Sequence, residues 1–318
     1  MLIAAMGILF LLWYVGLPSL GLTGAREERL LSAIAQLEMK ADLQRNLVIA
    51  DLQDSSADLM FIAESDEIKR ALFSSSSKQS GSSALAVASV LSAQLEKKFQ
   101  ILGKLRSQRF TGLMLIDLQS KTVLAATASG QQRKIPDQDL NALIAMPNFD
   151  SHILSWSNTD LPAAQSAHTL QAIVLPVRDT ASAPISTILV GLLDLELFVQ
   201  DRLTLDASLV KRFGTTLLFD AKANLIFSFP KILSTSPLYI PNQTVMGGFE
   251  GSVSQRNAAD EELIAVYRNL PLSPTQMWTM VLVTKKTDVL SGLLKNIDFL
   301  LIAGSLISLL ALSLIWMF

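Results

Sequence analysis

The sequence predicts an α+β chain in which one long N-terminal helix carries two antiparallel-sheet units, the whole flanked by two transmembrane helices. Three observations predict it. Met1–Ala25 and Phe299–Phe318 contain no Asp, Glu, Lys or Arg, and each is long enough to cross the hydrocarbon as a helix. Residues 26–73 place apolar side chains at helical spacing. From Phe110 the period changes to that of strands, and a strand–turn–strand pattern recurs 103 residues later.

The chain has 318 residues, a net charge of −2 and 50% hydrophobic residues, with a mean hydropathy of +0.40 that comes largely from the two ends. The normally charged segment 26–298 is the length of two ordinary domains. Near-neutral charge gives no reason to expect a nucleic-acid partner. There are no cysteines, which excludes disulfides, thiolate metal sites and a cysteine nucleophile. The N-terminal run lacks a basic start and an A-x-A site before Arg26, so it reads as a retained helix rather than a cleaved signal. Two spans put 26–298 on one side of the membrane and both termini on the other.

Residues 26–73 read as one helix with Leu30, Ile34, Leu37, Ala41, Val48, Leu52, Leu59 and Ile62 on a stripe that Gln44 and Ser55 interrupt. Core packing and dimerisation remain open as uses of this helix. Ser74–Ser83 is loop-like, and Ser83 reads as the N-cap of a helix from Ala84 to Leu105. Lys97, Lys98, Lys104, Arg106 and Arg109 form a basic patch that reads as a solvated face. Strands are predicted at Thr111–Ile116, Thr122–Thr127, Ile153–Ser157, Leu170–Val177 and Ile185–Leu193, with a short helix from Pro136 to Met146. After a helix at Leu195–Leu203, strands resume at Thr215–Phe219, Leu225–Phe229, Gly251–Gln255, Glu262–Arg268 and Trp278–Thr284.

FTGLMLIDLQSKTVLAA from Phe110 sets against FGTTLLFDAKANLIFSF from Phe213. Both read as strand, Asp-led turn, strand, followed by a loop-rich insertion and two long strands. The pattern marks an internal duplication, in which Trp278–Thr284 corresponds to Ile185–Leu193. Asp117 and Asp220 hold equivalent turn positions, so they read as turn formers and not as paired catalytic carboxylates.

With GLMLIDLQSKTVLAAT, AIVLPVRDTASAPISTILVGLLDLELF, TTLLFDAKANLIFSFP and ELIAVYRNLPLSPTQMWTMVLVTKK in place, residues 26–298 resemble the double Cache (dCache) sensor region of bacterial transmembrane receptors, built of two PAS-like units. The resemblance divides the chain into a transmembrane helix (1–25), a stalk helix (26–73), a membrane-distal unit (74–204), a membrane-proximal unit (205–286) and a connecting plus second transmembrane helix (287–318). It implies a two-span protein of the bacterial inner membrane with 26–298 in the periplasm, a homodimer, a small-molecule ligand in the distal unit, and a cytoplasmic signalling domain or partner as output. That output is of the histidine kinase, diguanylate cyclase or chemoreceptor type, and no segment resembling it precedes Phe318.

The resemblance places a ligand between the distal sheet and the segment crossing it, with Phe149, His152, Trp156 and His168 as lining. Asp194 matches an acidic position that can accept an ammonium group in the family, while its local sequence reads first as a helix N-cap. The Tyr/Arg/Trp-Tyr constellation of the amino-acid-binding members is missing, which argues against an amino-acid ligand. No P-loop, G-x-G-x-x-G, G-x-S-x-G or H-E-x-x-H occurs, so neither enzymatic activity, a metal nor a cofactor is expected. The competing reading is a membrane-anchored envelope scaffold that binds nothing small.

Overall fold

The computed structural model describes residues 16–17, 22–73, 81–105, 109–130, 135–146, 149–157, 169–180, 184–193, 195, 214–229, 249–257, 260–273 and 276–290. Near the N-terminus, β1 (Gly16–Leu17) pairs antiparallel with β2 (Leu22–Thr23). The expected first membrane helix runs across this stretch, yet Gly16, Pro18 and Gly21 belong to the two residue types least tolerated in a helix interior. Among the described residues no helix is long and apolar enough to cross a membrane. Phe299–Phe318 and most of Met1–Ala25 lie outside the described residues.

Helix α1 (Ala25–Ala63) is 39 residues long. The chain then breaks at Glu64–Ser65 and restarts as α2 (Asp66–Phe73), so the single helix expected over 26–73 is two. Its cause is local: the Ser65 carbonyl takes the first bonds of α2 from Ile68 and Lys69, and Asp66 and Glu67 put negative charge at the new N-terminus. Helix α3 (Gly81–Leu105) starts before Ser83, which therefore lies in the first turn and is no N-cap.

The first sheet comprises β3 (Phe110–Asp117), β4 (Thr122–Ala126), β5 (His152–Ser157), β6 (Thr169–Val177) and β7 (Thr187–Leu193), with α4 (Asp137–Ile144) between β4 and β5. Its order is β4-β3-β7-β6-β5. The second comprises β8 (Thr215–Phe219), β9 (Leu225–Phe229), β10 (Gly251–Arg256), β11 (Glu262–Ser273) and β12 (Gln276–Lys285), in the order β10-β11-β12-β8-β9. Read from the other edge, the second order is the first advanced by five strands, and every ladder in both is antiparallel. The expected duplication is thus present, with β12 in the place of β7. The helix expected at Leu195–Leu203 lies, apart from Leu195, outside the described residues.

The two hairpin turns match in detail. The Asp117 carboxylate accepts the N–H groups of Gln119 and Ser120 at 2.8 and 3.1 Å, and that of Asp220 accepts those of Lys222 and Asn224 at 2.9 and 2.8 Å. Each turn ends on a left-handed residue, Lys121 (φ 55°) or Ala223 (φ 59°). Both aspartates are therefore occupied as turn formers, as their sequence positions predict.

One stripe of α1 is buried along the faces of both sheets. Leu37, Ala41, Val48, Leu52, Leu59 and Ile62 join Leu113, Leu115, Leu189 and Leu193 of the first sheet and Leu218, Ile264, Val266 and Met280 of the second in one continuous core. The two polar residues on the stripe are satisfied: Gln44 Oε1 accepts the Thr216 hydroxyl at 3.2 Å, and the Ser55 hydroxyl donates to the Asp51 carbonyl at 2.7 Å. Gly191 lets α1 approach, since a β-carbon there would lie 2.6 Å from Leu59.

Ion pairs pin the helix to each sheet. Arg109, at the start of β3, reaches the Asp51 carboxylate at 3.2 Å with both side chains about nine-tenths covered. Arg268 of β11 holds both oxygens of Asp42, at 2.6 and 3.2 Å. Arg109 thus leaves the solvated basic patch, and so does Lys98, which pairs with Glu67 at 3.1 Å.

Candidate functional site

The family resemblance puts a ligand in the first unit, between its sheet and the segment that crosses it. On the first sheet the ladder sets Met114, Val190, Val174 and His152 in one row across four strands. Helix α4 covers that face because its apolar positions Leu140 and Leu143 are three apart; both are buried, with Ile135, against Met114, Ile116 and Ile188. Described residues therefore fill most of this face with aliphatic side chains.

The exception is the edge at β5. Phe149 is half-buried and meets the His152 ring edge-on, with centroids 6.4 Å apart and planes at 66°. His152 is buried, and burial pushes its pKa below the usual histidine value, with the Asp139 carboxylate pulling it back up. Burial raises the Asp139 carboxyl above its ordinary value; Lys222, from the β8–β9 turn, and His152 oppose that rise. An imidazole whose charged form is disfavoured by burial, beside the Asp139 carboxylate and an aromatic ring, offers hydrogen bonding and stacking.

Of the five expected site residues, Phe149 and His152 are brought together. Trp156 lies in β5 opposite Leu170. His168 and Asp194 lie outside the described residues. Among the described residues no group of three His, Asp or Glu side chains is placed to hold a metal.

Two cavities open on the other side of the first sheet, beside α1. One, of about 240 Å³, mixes Glu64 and Asp150 with Lys69 and Arg178. The other, of about 270 Å³, lies where α1, β5 and the β11–β12 hairpin meet. Here the two sheets touch through a residue that sequence reasoning passed over. Gln276 Oε1 accepts the Ile153 N–H at 2.9 Å, and Gln276 Nε2 donates to the Ile153 carbonyl at 2.6 Å. β5 is an edge strand, so its outward amide groups need partners, and one carboxamide supplies both in the manner of a single ladder residue. Sequence alone gave no signal for this. Asp139 was also passed over, because its place beside His152 depends on how α4 docks on the sheet.

The end of the second sheet is also fixed. Lys285 and Lys286 pair with Glu261 and Glu262, each at 2.7 Å. Residues 286–290 continue β12 directly as helix, and Val289 packs against the shared core.

No family model and no curated protein matches the chain. Among solved structures it is similar to the ligand-binding domain of the Pseudomonas fluorescens chemoreceptor CtaA in complex with L-isoleucine, at 13% identity and a TM-score of 0.49, over 82% of this chain and 95% of that one. It is similar to the ligand-binding domain of the Pseudomonas aeruginosa PAO1 amino acid chemoreceptor PctB in complex with L-Gln, at 13% identity and a TM-score of 0.49, over 85% and 97%. A domain of a putative sensory box/GGDEF family protein from Vibrio parahaemolyticus aligns at 12% identity and a TM-score of 0.44, over 81% and 99%.

Proposed function

We propose that this chain is the extracytoplasmic ligand-sensing region of a two-span bacterial membrane receptor. In this reading the first sheet is the membrane-distal sensor and the second the membrane-proximal transmitter. The observation that carries it is the duplicated five-stranded sheet mounted on one helix, whose last strand passes without a linker into helix at residues 286–290. A small molecule at the β5 edge, against Phe149 and His152, shifts the receptor only by binding one of two states more tightly. The α1 pins and the Gln276 clasp supply the connection to the exit helix, and a signalling domain or partner inside the cell receives it.

A homodimer fits the uncovered side of α1. Leu31, Met39 and Leu43 are exposed and fall within a sector of about 120° at 100° per residue. Three exposed apolar side chains on one sector of a stalk are what a second copy would cover.

The scaffold reading draws on a different observation: Ile135, Leu140 and Leu143 fill the outer face of the first sheet. Thermal unfolding of the full chain in the presence of a broad metabolite set separates the two. The sensor reading expects at least one compound to raise Tm saturably and His152→Ala to weaken that rise. No shift across the set, with no molecule carried through purification, favours the scaffold.

A further inference from the structure

The two units leave a gap beside their point of contact. Past Tyr267, β11 has no β10 partner, Pro271 offers no N–H, and the ladder register shifts between Pro271 and Ser273. The hairpin reaches β5 through Gln276, and a cleft of about 270 Å³ remains between its Pro271–Leu272 segment, the β5 edge at Ser151–Ile153 and α1. Ile49, Leu52, Met60 and Ile173 give it an apolar wall, and Gln53, Ser56 and Ser151 add hydrogen-bonding residues. Among the described residues no Asp, Glu, Lys or Arg lines it, unlike the 240 Å³ cavity with its two acids and two bases. His152, the one titratable residue among the described lining, meets Phe149 with its ring.

We propose that this inter-unit cleft is a binding site, separate from the outer face of the first sheet, for a small uncharged molecule with an apolar body and one hydrogen-bonding group. A charged ligand entering it gives up hydration without meeting an opposite charge. A cleft of this size takes a single ring or a short chain. Its occupant touches α1, the first unit and the second unit together, and so favours the clasped arrangement of Gln276 on Ile153. The site stands whether or not the Phe149–His152 edge takes a ligand, because it is read at a different residue.

The test uses the full chain with methyl-labelled methionine, titrated with benzyl alcohol, benzoate and benzylamine, which share a ring and differ in charge. The Met60 methyl resonance, assigned by its loss in Met60→Leu, reports occupancy of this cleft or of the 240 Å³ cavity that Met60 also lines, and plugs at Ala57 or Ser56, which line the cleft and not the other cavity, tell the two apart. The expected result is a saturable Met60 shift with benzyl alcohol, at least about tenfold weaker with either charged probe, and abolished by Ala57→Phe, which plugs the cleft from an exposed position on α1. Ser56→Leu is a second plug should the first fail to fold. Absence of saturation, equal response to the three probes, or binding that survives the plugs overturns the proposal.

Discussion

Gln276 grips Ile153 by both of its backbone polar groups, accepting its N–H at 2.9 Å and donating to its carbonyl at 2.6 Å. Two strands of different sheets are thereby joined by one side chain. Gln276→Ala removes both bonds and exposes the edge of β5. We expect a loss of about 1–2 kcal/mol in denaturant unfolding, together with faster hydrogen exchange at the Ile153 amide. Gln276→Glu keeps the acceptor but sets a carboxylate against the Ile153 carbonyl, and should cost at least as much.

His152 gives a pH signature. Burial holds its folded pKa below the ordinary 6.5, and Asp139 opposes that shift. A histidine so depressed contributes stability that is complete above about pH 6.5 and is lost as pH falls through the folded value. Ring-proton NMR should show His152 titrating below 6.5, and Asp139→Asn should lower it further by removing the opposing charge. A midpoint at or above 6.5 would contradict the burial seen at the β5 edge.

Asp42 behaves in the same direction at lower pH. The hydrogen bonds from Arg268 hold its carboxyl below the ordinary value of 3.8. Its stabilisation is therefore present above about pH 4 and is lost as pH falls through the depressed value. The Asp42 side chain is half exposed, so the pair is worth under about 1 kcal/mol. Urea midpoints at pH 7 and pH 3 should differ less in Asp42→Asn than in the parent chain.

The absence of cysteine makes the stalk easy to interrogate. With Met39→Cys or Leu43→Cys, mild oxidation of membranes should give a disulfide-linked dimer. Lys121→Cys, on an exposed turn of the first sheet, should stay monomeric. Equal cross-linking at all three positions would remove the case for a dimer along α1.

Most of this architecture was legible in the sequence because it rests on periodicity and turn chemistry. The alternating strands, the two Asp-led turns and the stripe on α1 are local patterns, and the duplication follows from comparing them. The break at Glu64–Ser65 had a signal in Asp66 and Glu67, and Ile68, six residues after Ile62, falls off the α1 stripe. The β11–β12 extension had none: Asn269-Leu-Pro-Leu-Ser-Pro reads as a loop, yet Pro271 is tolerated because, among the described residues, β11 at that point pairs with β12 alone. The clasp lies on this extension, and so does one side of the inter-unit cleft. Of the candidate site, Phe149 and His152 entered as lining through the family resemblance, and their edge-on contact is a finding of the structure. Asp139 depends on how α4 docks, a tertiary fact that no local pattern encodes.

The central claim is that the first sheet senses and the second sheet transmits through α1 and the clasp. Its most direct test is hydrogen exchange on the full chain in lipid nanodiscs, with and without a compound that raises Tm. The account predicts added protection in β5 and, with the same compound, altered exchange in residues 276–290, the latter reduced in Gln276→Ala. Protection confined to β5, with 276–290 unchanged in both chains, would contradict it.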